Sequence, residues 1–181
     1  MAKEHWNKQI RYIVSTALLA SILSITAPFS FPIGTVPITL ATFAIYLIGG
    51  ITRKVQGLLV VAIYIALGAI GLPIFSSFKG GIGVMIGPTG GFILGYLPCV
   101  LIISLLTSIN KKTIWLYPVS MVAGTIICYL VGTIWFMVVM RASFTYAIKI
   151  CVLPFLLFDT IKIIIASIVS YILNNKTQIN L

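Results

Sequence analysis

Charge is what this chain has least of. Only 8% of its 181 residues are charged, and only two of them, Glu4 and Asp159, are acidic. A soluble domain usually carries about a quarter charged residues, so an ordinary water-soluble fold is excluded. Histidine is nearly absent too. His5 is the only one, and it lies in a polar N-terminal tail, so neither a histidine metal centre nor a Ser–His–Asp triad can be assembled. The three cysteines, Cys99, Cys128 and Cys151, stand in apolar runs with no C-x-x-C partner, and read as small hydrophobes. No G-x-x-x-x-G-K-[ST] phosphate loop occurs, and no second carboxylate stands near Asp159 for acid–base work. These absences point away from an enzyme, from ATP hydrolysis by this chain, and from a resident cofactor or metal.

What is present is hydrophobicity, 60% of the residues. The expected class is an all-α integral membrane protein forming one domain over 1–181. Spans of about 20 apolar residues are expected near 10–27, 36–51, 55–71, 89–109, 114–140 and 153–173. The second and third are short. The first follows Lys3, Lys8 and Arg11 like a signal peptide, but its length and the later runs make it a retained span.

A net charge of +10 would suit a nucleic-acid binder, yet the cations sit in gaps between apolar runs. With the N-terminus inside, Lys3, Lys8, Arg11, Arg53, Lys54, Lys111, Lys112 and Lys176 are cytoplasmic, and Lys79, Arg141 and Lys149 are outside. Eight against three obeys the positive-inside rule. A six-helix bundle with both termini cytoplasmic follows, with Trp6 and Trp115 beside the inner boundary. The N-K-T triplet ending at Thr177 fits a glycosylation acceptor but falls on the cytoplasmic side.

In this orientation the apolar Gly/Pro-rich connections cluster outside. They are 27–39, with Pro28, Pro32 and Pro37, then 71–91, then 141–152. Such loops pack over something, which predicts an outward-facing site. Asp159 and Lys162 lie three residues apart in an apolar run, on one helix face. Intramembrane charges are costly and mark function by default, although an internal ion pair that orients the helix is the alternative. If Pro154 sits in the helix's first turn, the pair lies near the outer loops.

The stretch GPTGGFILGY, 87–96, spaces Gly87, Gly91 and Gly95 by four. That pattern packs helices, while Gly87 and Pro88 also suit a helix start whose free N–H groups favour an acceptor. Gly87, Pro88, Thr89, Gly90, Gly91 and Tyr96 are therefore candidate site residues. Lys79 is a solvated charge or meets an acidic ligand group. Thr16, Ala17, Ala20, Ser21 and Ser24 form a small-residue stripe, which packs internally or faces a partner subunit.

Four stretches carry a resemblance: GTVPITLATF (34–43), YIALGAIGLPIFSSFKGGIGVMIGPTGGFILGY (64–96), YLVGTIWF (129–136) and LPFLLFDTIK (153–162). In order and through nearly the whole chain, they resemble the BioY family, the biotin-specific substrate-binding (S) components of energy-coupling factor (ECF) transporters. Two residues depart from the pattern: Ala41 stands where the family usually has glutamine, and Phe92 where tyrosine is commoner. The resemblance implies a six-helix S component that captures biotin outside. A transmembrane coupling subunit and two ATP-binding subunits would then drive import. It implies biotin contacts at Asp159 and Lys162, a site border at Gly87–Gly91, and coupling-subunit contact through the stripe at Ala17 and Ser21. For such a ligand, Arg141 is a further candidate to meet the acidic group, and Phe31, Phe75 and Phe78 are candidates to cover its rings. The rival readings are an S component for another small vitamin, a stand-alone biotin carrier, or a structural membrane subunit.

Overall fold

The computed structural model describes residues 2–31, 35–53 and 55–176, with side chains from Trp6 to Asn175. Pro32, Gly34, Lys54 and Thr177 lie outside the described residues, as do the side chains of Lys3, Glu4, His5 and Lys176.

Helix α1 (Ala2–Thr26) is followed by a two-residue hairpin, β1 (Ser30–Phe31) with β2 (Ile38–Thr39). Then come α2 (Ala41–Ile51), α3 (Val55–Ala69), α4 (Ile82–Ile86), α5 (Gly90–Thr107), α6 (Leu116–Met140), α7 (Phe144–Cys151) and α8 (Leu153–Lys176). Among the described residues, four stretches are long and apolar enough to cross a bilayer: Trp6–Thr26, Gly90–Thr107, Leu116–Met140 and Phe144–Asn175. Helices α2 and α3, with 11 and 15 residues, are shorter. At ~1.5 Å per residue they span roughly 16 and 22 Å, less than a hydrocarbon core of ~30 Å.

Two differences from the sequence expectation have local causes. The second span was expected from residue 36, but Pro37 disfavours helix at its predecessor, and 38–39 pair as a strand instead. Thr39 Oγ1 accepts the Ala41 N–H at 3.2 Å, so helix starts only there. The third outer connection contains a helix, α7, whose Ala147 and Cys151 are buried while Phe144 and Tyr146 are exposed. An amphipathic two-turn segment is hard to distinguish from an apolar loop by composition.

Helix α5 is the central post. Over its membrane stretch 56% of residues are buried, against 17% for α1, which is therefore peripheral. Along α5 the four-residue glycine spacing is a packing device. A Cβ on Gly95 would stand 3.2 Å from the Cys128 carbonyl oxygen, and one on Gly91 would stand 2.2 Å from Trp135 Cβ. Only glycine lets α5 and α6 approach this closely.

The two ends of the bundle are tied differently. At one end Asn174 donates to the Gly50 carbonyl (2.8 Å) and to the Tyr117 hydroxyl (3.0 Å). Lys111 donates to Asn174 Oδ1 at 3.2 Å, which joins α2, α6, α8 and the α5–α6 turn. At the other end the Ser77 N–H donates to the Pro28 carbonyl (3.0 Å) and to Ser30 Oγ (2.9 Å), linking two connections. The Phe29 and Phe78 rings meet edge-on there, with centroids 5.6 Å apart.

Candidate functional site

Beneath those linked connections lies a cavity walled by α2, α5, α6, α8 and the hairpin. Thr39 and Pro37 come from the hairpin, Thr42 and Tyr46 from α2, Thr89 and Tyr96 from the start of α5, Tyr129 from α6, and Asp159 and Lys162 from α8. The cavity is a slot: about 50 Å³ admits the centre of a water molecule. That is room for the centres of only a few waters.

Asp159 is 3% exposed. Its Oδ1 accepts from Lys162 Nζ at 3.0 Å and from Thr42 Oγ1 at 3.2 Å. Its Oδ2 accepts from the Tyr129 hydroxyl at 2.7 Å. A carboxylate has about four lone-pair sites, so one acceptor position remains, on Oδ2. Lys162 has three N–H donors, and all three are placed: Asp159 Oδ1, Thr42 Oγ1 at 2.9 Å, and the Thr39 carbonyl at 2.8 Å. A buried charge pair is tolerable only when its remaining hydrogen-bonding capacity is met. Thr42, Tyr129 and the hairpin carbonyl supply that. A ligand oxygen reaches Lys162 only by exchange with one of these partners.

Apart from Ser76 and Thr125, the rest of the wall is apolar or aromatic. Phe92 and Phe155 stack with centroids 6.5 Å apart, and Ile45, Ile93, Cys99 and Cys128 also line the cavity. The cysteines are free thiols.

The structure brings together Asp159, Lys162, Thr89 and Tyr96 around this slot. It does not bring in the others. Gly87 accepts from Trp135 Nε1 at 3.0 Å through its carbonyl, and Gly90 and Gly91 pack against Met85 and Trp135. Pro88 does not line the slot. Lys79 and Arg141 are exposed, Lys79 in the 71–81 connection and Arg141 at the end of α6. Phe75 is buried under Tyr64, while Phe31 and Phe78 are exposed. On α1, Ala17 and Ser21 are exposed and Ala20 is buried; with Ser24 they border a separate groove against Leu59, Ile63 and Leu67 of α3.

Sequence reasoning assigned no role to Thr42, Tyr129, Tyr46 or Thr125. Thr42 and Tyr129 lie within two of the stretches that carry the resemblance, and each is a polar tip inside an apolar run. In a span such groups need partners, which is a signal for the Asp159 network.

An apolar bundle around a narrow slot, with one buried ion pair in its wall that keeps a single acceptor position open, defines a multi-pass membrane protein built to hold a small polar-headed molecule. The model of the BioY family matches residues 1–178, and the chain belongs to that family. It is 35% identical over 161 residues to the biotin transporter BioY of Thermotoga maritima, covering 89% of this chain and 94% of that one. It is 33% identical to biotin transporter BioY2 of Lactococcus lactis, covering 90% and 89%. The fold matches a crystal structure of the S-component for biotin from an ECF-type ABC transporter. There the TM-score is 0.86 at 24% identity, and 93% of each chain is covered.

Proposed function

We propose that the chain is the biotin-binding S component of an ECF-type vitamin uptake transporter, a transport subunit and not an enzyme. It would capture biotin from outside for import driven by a transmembrane coupling subunit and two ATP-binding subunits. The observation that carries this reading is the buried Asp159–Lys162 pair, hydrogen-bonded in every direction but one and lining the slot, in a chain of the BioY family.

Biotin's chemistry fits the slot. Its ureido ring offers two N–H donors and a carbonyl, its thiophane and valeryl parts are apolar, and its tail is a carboxylate. The open acceptor position on Asp159 Oδ2 takes one ureido N–H. The ureido carbonyl takes a Lys162 N–H by replacing Thr42 or the Thr39 carbonyl. That exchange conserves the number of bonds to the ammonium and loosens the hairpin locally. Phe92 and Phe155 flank the apolar part. The tail carboxylate lies toward the mouth, where Thr89 begins α5.

Six membrane crossings, with α2 and α3 as short ones, and cytoplasmic termini complete the proposal. The support is the charge distribution: Arg53, Lys111 and Lys112 lie at the Asn174 end, and Lys79, Arg141 and Lys149 at the slot end. The groove at Ala17 and Ser21 is assigned to the coupling subunit. Titration of the purified full chain with biotin tests the function directly. Saturable one-to-one binding is expected, and a chain that prefers another vitamin in a ligand panel would refute it. Reporter labelling of cysteines placed at each end tests the orientation.

A further inference from the structure

Tyr46 lies one helical turn beyond Thr42 on α2, on the same face, about 6 Å further along the axis. Its hydroxyl is 2.7 Å from Thr125 Oγ1. Thr125 in turn donates to the Met121 carbonyl at 2.7 Å. A threonine hydroxyl has one proton, and here that proton is spent on Met121. The Tyr46 proton must therefore point to Thr125. The Tyr46 oxygen keeps an acceptor site, and no hydrogen-bond donor reaches it among the described residues.

Tyr46 lines the cavity and is 1% exposed. Ile45, Ile93, Cys99 and Cys128 line the same cavity. A buried acceptor without a donor costs free energy, and a ligand N–H removes that cost. Ala41, on the same helix, also lines the cavity but offers only a methyl group. Polar recognition along α2 therefore falls to Thr42 and Tyr46.

We propose that Tyr46 is a ligand-contacting residue: its oxygen accepts the second N–H of the ligand's cyclic urea, opposite the N–H taken by Asp159. This rests on the biotin assignment above. It makes the slot selective for a ring with donors on both flanks of a carbonyl, since an analogue lacking either donor leaves one buried acceptor unpaired.

The test is calorimetric titration of the purified full chain. Tyr46→Phe, which removes only the oxygen, weakens biotin binding about five- to tenfold, the usual worth of one neutral hydrogen bond. Melting in the absence of ligand should fall by only a few degrees, the worth of the lost Tyr46–Thr125 hydrogen bond. The unaltered chain should bind both mono-N-methyl biotins more weakly than biotin, and for one of the two isomers Tyr46→Phe should cause no further loss. Such non-additivity is the signature of a direct contact. Equal affinity of Tyr46→Phe and the unaltered chain for biotin overturns the contact alone. So does a loss that adds in full for both isomers. An N-methyl isomer that binds the unaltered chain as tightly as biotin overturns it without any variant having to fold. Failure of the unaltered chain to bind biotin overturns the assigned function and this contact together.

Discussion

The slot around Asp159 and the groove between α1 and α3 are two concave surfaces built on opposite rules. In the slot, the charged groups are buried and every hydrogen-bonding direction but one is used inside the protein. In the groove there is no charge. Its serine at position 21 turns back on its own helix, donating to the Ala17 carbonyl at 2.9 Å, and the surface it leaves is small and apolar. The first arrangement recognises a particular set of donors and acceptors. The second recognises shape, because in a bilayer close approach and dispersion decide which helices associate. Changes to one surface should leave the other intact, and that separation can be attacked by measuring biotin affinity and assembly on the same variants.

The largest loss of affinity is expected for Asp159→Asn. It removes the acceptor for the ligand and strands the Lys162 ammonium without its counter-charge. Hydrogen bonds to charged groups contribute about 1.5–3 kcal/mol each, so biotin affinity should fall about 10- to 150-fold by calorimetry. Stability should fall too, since a broken buried pair costs roughly 3–5 kcal/mol. Asp159→Asn combined with Lys162→Met sharpens the point. The double variant should regain most of the lost melting temperature, because the uncompensated charge is gone, while biotin binding stays lost. If affinity recovers along with stability, the pair is a structural staple and the slot is not the site.

How much of this contrast was legible in the sequence depends on how rare the signal is. One acid in an apolar run is conspicuous, and Asp159 with Lys162 was singled out from composition alone. The helical class and most helix positions followed from apolar runs of sufficient length. Thr42, Tyr129 and Tyr46 were not singled out, because threonine and tyrosine are common in spans and only the fold shows which face the carboxylate. GPTGGFILGY misled in part for the same reason. A small-residue spacing reads alike whether the close neighbour is a ligand or a tryptophan, and at Gly91 it is Trp135. The hairpin and α7 fell below the length at which periodicity speaks.

A middle-sized effect is expected at Tyr129, the residue that holds Asp159 Oδ2 in place. Tyr129→Phe leaves the charge pair intact but frees that oxygen to turn. Biotin affinity should drop about tenfold, since one hydrogen bond to a charged group is lost. The remaining binding should still disappear in the Asp159→Asn background. If the two losses add in full, Tyr129 acts elsewhere than through the carboxylate.

Lys79→Ala and Arg141→Ala should be smaller still. Both side chains are exposed and outside the slot wall, and exposed ion pairs contribute about 0.2–1 kcal/mol. Affinity should change by less than about fivefold and less at high salt. A larger change at either would place the ligand's carboxylate at that cation.

The smallest effect on affinity belongs to the groove. Ala17→Leu fills a position that is exposed and faces away from the slot, so biotin binding to the isolated chain should stay within about twofold. The same added isobutyl group would hold a neighbouring helix off by the width of a side chain. Small-residue interfaces depend on backbone approach, so co-purification with the coupling subunit and biotin uptake by cells should both fall sharply. Ser21→Leu should behave alike, because it lies one turn further on the same face. Retained assembly in both variants would mean that α1 faces lipid at this groove and that the coupling subunit docks elsewhere. Loss of biotin binding in either would mean that α1 transmits strain to α2, on which Thr42 and Tyr46 stand, and that the two surfaces are not independent.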